Sequence, residues 1–248
     1  MKRIWIISLV LLMFISCTNA QNHRDMKKIE LGMENTKDGF HKKLYNYYYE
    51  VGYYKNGEKD GSWSRYHKTT YKIIAVENYR KGVKDGIQIT YSPKTGDLEK
   101  YEYFTDGVKN GPSVQFFRGN KLKEVENYSN GKLNGELMKY YNNGTLMEKS
   151  NYVNDKKEGK SIWYSQKRKR IAEFSYKDGL FEGQNLTFYE NGNKKKVENY
   201  KHNILDGAYV EYYLTGKVKE QGTYKNGEKT GVWKSFDPAG KLLEEKKY

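Results

Sequence analysis

Glycines and aromatic residues return at fixed intervals along most of this chain, with polar residues between them. Gly-x-x-x-Gly occurs at Gly57-Gly61, Gly82-Gly86, Gly107-Gly111, Gly131-Gly135, Gly179-Gly183 and Gly227-Gly231, and with one change at Asp155-Gly159 and Asn203-Gly207. The second glycine falls at 61, 86, 111, 135, 159, 183, 207 and 231, a step of 25, 25, then 24. Three residues before the first position stand Tyr54, Tyr79, Phe104, Tyr128, Tyr152, Tyr176, Tyr200 and Tyr224. Five after the second glycine stand Tyr66, Tyr91, Phe116, Tyr140, Tyr164, Phe188, Tyr212 and Phe236. A third position holds Ile89, Val114, Met138, Ile162, Leu186 and Val210, but Ser64 and Lys234 in the end repeats, where polarity suits a cap. Such periodicity fixes the architecture before any local reading. Short runs of strand-forming residues between turn signals predict two antiparallel strands per repeat. The expected fold is all-β: an elongated, open, single-layer antiparallel β-meander of about eight 24-residue hairpin repeats. Contacts should run between neighbours only, and no helix of consequence is expected.

The turns carry their own chemistry. Asp and Asn are the non-glycine residues that best accept a left-handed backbone. Their presence at 155 and 203 says that Gly57, Gly82, Gly107, Gly131, Asp155, Gly179, Asn203 and Gly227 are structural turn positions needing φ > 0. Side chains two apart in a strand share a face. A two-residue loop at Asn130-Gly131 would turn Tyr128 away from Met138 and Tyr140, so a three-residue bulged loop, 129–131, is expected instead. Asn142-Asn143-Gly144 is read in the same way, with the extra residue of the 25-residue repeats in this second turn. One face should then be aromatic and aliphatic. The other should carry the second glycines, Asn, Ser, Thr, Lys and scattered rings such as Trp63, Tyr209 and Trp233, with those glycines making room for a neighbouring ring.

Composition thins the core. The 248 residues are 36% hydrophobic with 25 tyrosines and a formal charge of +14; few aliphatics and many tyrosines suit a thin aromatic core. Lys2 and Arg3 precede an apolar run, Ile4 to Ile15, too short for a permanent span, so residues 1–20 read as a signal peptide. "FISC" resembles a bacterial lipobox, with Cys17 the lipidated residue. "TNA" before Gln21 offers ordinary cleavage instead, and both remain open. Export to the bacterial cell envelope or beyond follows, as an outer-membrane lipoprotein, a periplasmic protein or a secreted one. Cys17 is the single cysteine, so no disulfide staples the domain. Residues 21–43 read as a polar tether ending in a partial first repeat, and 44–248 as the repeat domain.

"YKNGEKDGSWSRY" (54–66), "YSNGKLNGELMKYYNNGTLMEKSNY" (128–152) and "YKNGEKTGVWKSF" (224–236) resemble the MORN-type repeat, in the variant common in bacterial exported proteins. The resemblance implies an open twisted sheet and a protein-binding or membrane-associated scaffold; some members are labelled antitoxin-like. It brings no catalytic residues. "SQKRKR" (165–170) departs from it by losing the Asn-Gly of the second turn, which leaves the register over 165–171 unsettled.

Candidate chemistry is sparse. His23, His41, His67 and His202 lack metal-ligand spacing, and no cofactor or enzymatic activity is expected. Glu124, Glu148, Glu220 and Glu244 recur with the repeat and read as surface cross-strand partners of lysines. The candidate patch is basic: Lys167, Arg168, Lys169 and Arg170 with Lys194, Lys195 and Lys196, on one edge of the ribbon. It could meet anionic lipid, glycan or an acidic protein. Nucleic acid is not expected outside the cytoplasm. The leading expectation is a non-catalytic envelope scaffold for an unidentified protein partner, tethered by its lipid. The alternatives are a binder of anionic lipid or glycan, and an antitoxin or immunity protein.

Overall fold

The computed structural model describes residues 37–248; the leader and Cys17 lie outside the described residues. Twenty-three strands, and no helix among the described residues, form one antiparallel sheet that runs in chain order from Gly39–Leu44 to Leu242–Lys247. The all-β open meander is as expected. Its paired region starts at Gly39, ahead of residue 44. Gly39 has φ 121° and faces Tyr54 as Gly135 faces Tyr152, so it is the second glycine of a partial repeat.

All eight first turns share one backbone. Ser129 faces Lys132 and Tyr128 faces Leu133, which leaves only Asn130 (φ 49°) and Gly131 (φ 79°) in the loop. Asn154-Asp155 (49°, 68°) and His202-Asn203 (50°, 70°) repeat the pattern, so the need for φ > 0 at 155 and 203 is met. Two successive left-handed residues make a type I′ turn. The three-residue loop expected at 129–131 is therefore wrong, and the side chains do change faces across the turn. The reason lies at the second glycine. Between the pair Tyr128–Leu133 and the pair Val125–Met138, the later strand advances five residues and the earlier one three. Asn134-Gly135 is thus a two-residue bulge, with Gly135 at φ 112°. The second glycines serve this bulge; Gly111 lies against Tyr103, but none of the eight lies beneath Trp63, Tyr209 or Trp233.

The second turns follow expectation. Tyr141 N–H donates to Thr145 O (2.9 Å) and Gly144 N–H to Tyr141 O (2.8 Å), with Gly144 left-handed at 82°. The extra residue of a 25-residue repeat enlarges this loop, as between Ser92 and Asp97. The 165–171 stretch keeps register: Ser165 and Lys169 close the same turn, Arg168 takes the glycine's place at φ 60°, and Tyr164 faces Arg170 as Tyr140 faces Leu146.

The two aromatic columns consequently lie on opposite faces, not on one. Face A carries the Tyr128 column and, two residues after each second glycine, the most buried column of the sheet, from Trp63 (1% exposed) through Leu137 and Ser161 to Tyr209 and Trp233. Face B carries the Tyr140 column and the aliphatics Val114, Met138 and Ile162. The rings Trp63, Tyr209 and Trp233, expected on the polar side, therefore belong to the core. The close glycines beneath them are Gly52 and Gly222: a Cβ there would lie 2.3 Å and 2.2 Å from the indoles of Trp63 and Trp233. Each indole N–H reaches past its glycine to a carbonyl, Trp63 to Tyr53 O (3.1 Å) and Trp233 to Thr223 O (3.2 Å).

Candidate binding surface

Both long edges of the ribbon are laced from repeat to repeat. On the first-turn edge, Gly131 N–H donates to Lys109 O two strands away (2.8 Å), and Gly107 and Gly227 do the same onto Lys84 O and Leu205 O (2.8 Å each). Asp155 and Asn203 add to this: their side-chain oxygens accept from the N–H groups of Leu133 (2.7 Å) and Phe181 (2.6 Å). The residue before the second glycine supplies another latch. Glu158 and Glu182 accept from the N–H of Asp178 and His202 in the next turn (2.9 Å each), and Asp60, Asp85 and Asp206 act alike. Sequence reasoning passed over this position, although an acid precedes the second glycine in five of eight repeats.

On the second-turn edge, the hydroxyls of Tyr141, Tyr189 and Tyr213 donate to the carbonyls of Tyr164 (2.9 Å), Tyr212 (2.7 Å) and Phe236 (2.8 Å). Tyr189→Phe is expected to lower stability by about 1 kcal/mol, read as a shift in the denaturant midpoint at constant m; an unchanged midpoint would remove these struts from the account. Ser92 occupies the strut position in the second repeat and is too short to span. A groove of about 580 Å³ opens there, lined by Ser92, Lys94, Gln115, Phe117, Arg118 and Lys123 among others.

Face A is filled by lysines lying between carboxylates and rings. Lys157 Nζ bonds Glu148 Oε1 (2.7 Å) and sits 4.6 Å from the Trp163 centroid. Lys59 repeats this with Glu50 (2.9 Å) and Trp63 (4.2 Å), and Lys229 with Glu220 (2.7 Å) and Trp233 (3.8 Å). Cation and ring attract through the ring quadrupole. Glu148, expected at the surface, is 7% exposed because this face is packed.

Burial works to raise the Glu148 carboxyl, but Lys157 and Ser150 outweigh it and hold it below the ordinary carboxylate value. Glu77 is lowered against burial by Arg65 and Lys84, and Glu102 by Lys100 and Lys109. A lowered folded pKa contributes stability that is present above the unfolded value and lost as pH falls through the folded one. Tyrosines shift the other way: burial, then Glu126, pushes Tyr128 up to about 12. Burial, then Glu148, does the same for Tyr176, also to about 12. Their contribution is present below pH 10.0 and lost as pH rises through about 12. Thermal midpoints should therefore fall below pH 4.5 and above pH 10.0, with tyrosinate absorbance appearing late. A flat profile down to pH 3 would contradict the buried pairs.

The predicted basic patch does lie on the second-turn edge, but the fold divides it. Lys167 pairs with Glu190 (3.1 Å). Arg170 pairs with Glu173 (2.8 Å) and lies 4.3 Å over the Phe188 ring. Lys195 rests 5.9 Å from the Tyr189 ring, and Lys196 turns to face A, 5.8 Å from the Tyr209 ring. Arg168, Lys169 and Lys194 remain exposed. Face B has a feature the sequence reading missed. One residue after the first turn, Val83, Val108, Leu180 and Ile204 are 44%, 44%, 37% and 50% exposed. Gly107 and Gly131 sit against the methyls of Val83 and Val108, which joins each side chain to the next turn; exposed Lys132 and Lys156 separate this pair from Leu180 and Ile204. Tyr53 and Tyr103 are exposed on the same face. The signal was an aliphatic directly after the turn.

Hairpins in fixed register, latched edge to edge in a single layer, define a β-meander repeat protein. Residues 133–154, 181–202, 205–226 and 229–248 match the MORN repeat variant, each match starting two residues before a second glycine. Residues 133–248 thus carry MORN-type repeats. MORN repeats in general are non-enzymatic modules that bind proteins or membranes. No curated protein matches the chain.

Proposed function

We propose that this protein is a non-catalytic scaffold of the bacterial cell envelope that holds a protein partner along face B. The observation that carries the reading is the contrast between the faces. Large apolar side chains of face A are packed under lysines and carboxylates, whereas Val83 with Val108 and Leu180 with Ile204 form two exposed apolar pairs on face B, separated by Lys132 and Lys156. Exposed apolar surface on a rigid repeat array suits an extended partner. Export rests on the leader, and attachment on Cys17 as the lipidated residue. The test combines metabolic lipid labelling with capture from envelope membranes. Val108→Asp/Ile204→Asp should leave the circular dichroism spectrum intact and abolish capture of a partner retained by the parent chain. Equal capture by both would sink the surface assignment, and absence of label on Cys17 would sink the anchor.

A second reading is favoured by the second-turn edge, where Lys94, Arg118 and Lys123 ring the groove and Arg168 and Lys169 lie further along. Such an edge would meet an anionic lipid or glycan surface. Vesicles with anionic headgroups should then float the protein at low salt and release it at high salt; binding that survives high salt would contradict this.

A further inference from the structure

The groove beside Ser92 has a cause in the repeat. Tyr141, Tyr189 and Tyr213 each reach a backbone carbonyl one repeat on. Ser92 holds the same place in the second repeat: its N–H closes the turn onto Asp97 O (2.8 Å), as Tyr141 N–H closes its own onto Thr145 O (2.9 Å). Among the described residues no tyrosine hydroxyl reaches the corresponding carbonyl, Phe116 O, and the space a phenol ring fills elsewhere stays open. Two bonds tie the turns on either side of it together. Gly119 N–H donates to Asp97 Oδ2 (3.2 Å) and Leu98 N–H to Asn120 Oδ1 (2.8 Å). The groove is therefore shaped before any ligand arrives, which lowers the cost of binding. Its volume, about 580 Å³, is that of a small-molecule cleft.

Its walls carry side chains that the fold leaves unused. Thr90, Lys100 and Gln115 are matched across three strands and share face A, and Phe117 stands two residues beyond Gln115. Among the described residues, the Gln115 amide has no hydrogen-bond partner and the Phe117 ring no ring or cation partner. Four lining cations, Lys94, Lys100, Arg118 and Lys123, face two carboxylates, Asp97 and Glu99. Lys100 is held by Glu102 at 2.7 Å, and Asp97 accepts from the Thr95 hydroxyl (2.9 Å) as well as from Gly119. Lys94, Arg118 and Lys123 are exposed and form no salt bridge among the described residues.

An uncovered ring, an unspent amide and a cationic rim suit a ligand with a C–H face, hydroxyls and negative charge. An acidic sugar has all three. A glycerol phosphate headgroup brings the charge but no ring for Phe117 to cover. We propose that this groove binds an acidic saccharide. The sugar ring lies on Phe117, its hydroxyls meet Gln115 and Ser92, and its carboxylate sits between Arg118 and Lys123. The inference rests on the second-turn edge as the contact for anionic material and names the chemical class which that edge takes.

Calorimetric titration of the full-length chain with Cys17→Ser reads it. The probe is tetragalacturonate, with maltotetraose as the neutral control and glycerol 3-phosphate as the headgroup control. Tetragalacturonate should bind saturably and at least about tenfold more tightly than either control. Arg118→Gln/Lys123→Gln should weaken it at least about tenfold. Ser92→Tyr, which puts a strut into the groove, should abolish binding and keep the thermal midpoint at or above the parent's. If that midpoint falls instead, the glutamine pair decides alone. No saturable binding, equal binding of either control, or unchanged binding by the glutamine pair or a stable Ser92→Tyr would overturn the proposal. Flotation with anionic vesicles separates this from the wider reading. If vesicles float the parent and Ser92→Tyr alike at low salt while tetragalacturonate fails to bind, the groove falls and the edge stands. If neither binds, both fall.

Discussion

Gly222→Ala should destabilise the C-terminal end of the array by about 3 kcal/mol, as overpacking against a ring with nowhere to go. The added Cβ would meet Trp233 at 2.2 Å, and the same change at Gly52 would meet Trp63 at 2.3 Å. Neither glycine is left-handed, so the effect is steric, not conformational. Trp233 is 3% exposed, bonded to Thr223 O and covered by Lys229 at 3.8 Å, so its escape would forfeit all three interactions. Because contacts pass only between neighbours, hydrogen exchange should quicken over 218–248 and stay unchanged over 121–153. Full stability in Gly222→Ala would contradict the packing described.

Gly131→Val carries the second large effect. Its backbone is left-handed at φ 79°, where a β-branched residue costs about 2 kcal/mol, and a Cβ would lie 3.2 Å from Val108 Cγ1. The turn also donates across two strands to Lys109 O, so distortion here loosens the join between repeats. Gly131→Asn and Gly131→Asp should be tolerated within about 1 kcal/mol, because Asn203 and Asp155 already fill equivalent positions and accept an extra N–H bond there. Denaturant unfolding of the four chains checks the order Gly, Asn and Asp above Val. A valine variant as stable as asparagine would remove the left-handed requirement from the account.

These glycines also mark where the sequence was readable and where it was not. Asp155 and Asn203 in place of glycine told of positive φ, and both residues adopt it. Asn142-Asn143-Gly144 read correctly as a three-residue loop, closed by the Tyr141–Thr145 pair, although the bulge that follows it, between Tyr140–Leu146 and Lys139–Glu148, went unread. At Gly135 the same residue type signals a bulge rather than a turn, and nothing in its neighbours distinguishes the two. Carrying parity through it put both tyrosine columns on one face and Trp63 and Trp233 on the wrong one. Gly52 and Gly222 escaped notice because they lie outside the 24-residue register; only the indoles lying across them explain their presence. The basic patch was legible as charge. That Lys167 is held by Glu190 and that Arg170 lies over Phe188 depend on residues a repeat away. Face B's apolar pairs were hidden by their modest composition: a Val, Leu or Ile after four of the eight first turns becomes a surface only where two such repeats adjoin, as at Val83 with Val108 and Leu180 with Ile204.

The exchange of faces at each first turn underlies the packed face A and the exposed face B. Cross-strand nuclear Overhauser effects in the fourth repeat test it directly. The account predicts contacts that set Tyr128 opposite Leu133 and Val125 opposite Met138. Contacts setting Tyr128 opposite Lys132, the register of a three-residue loop at 129–131, would contradict it.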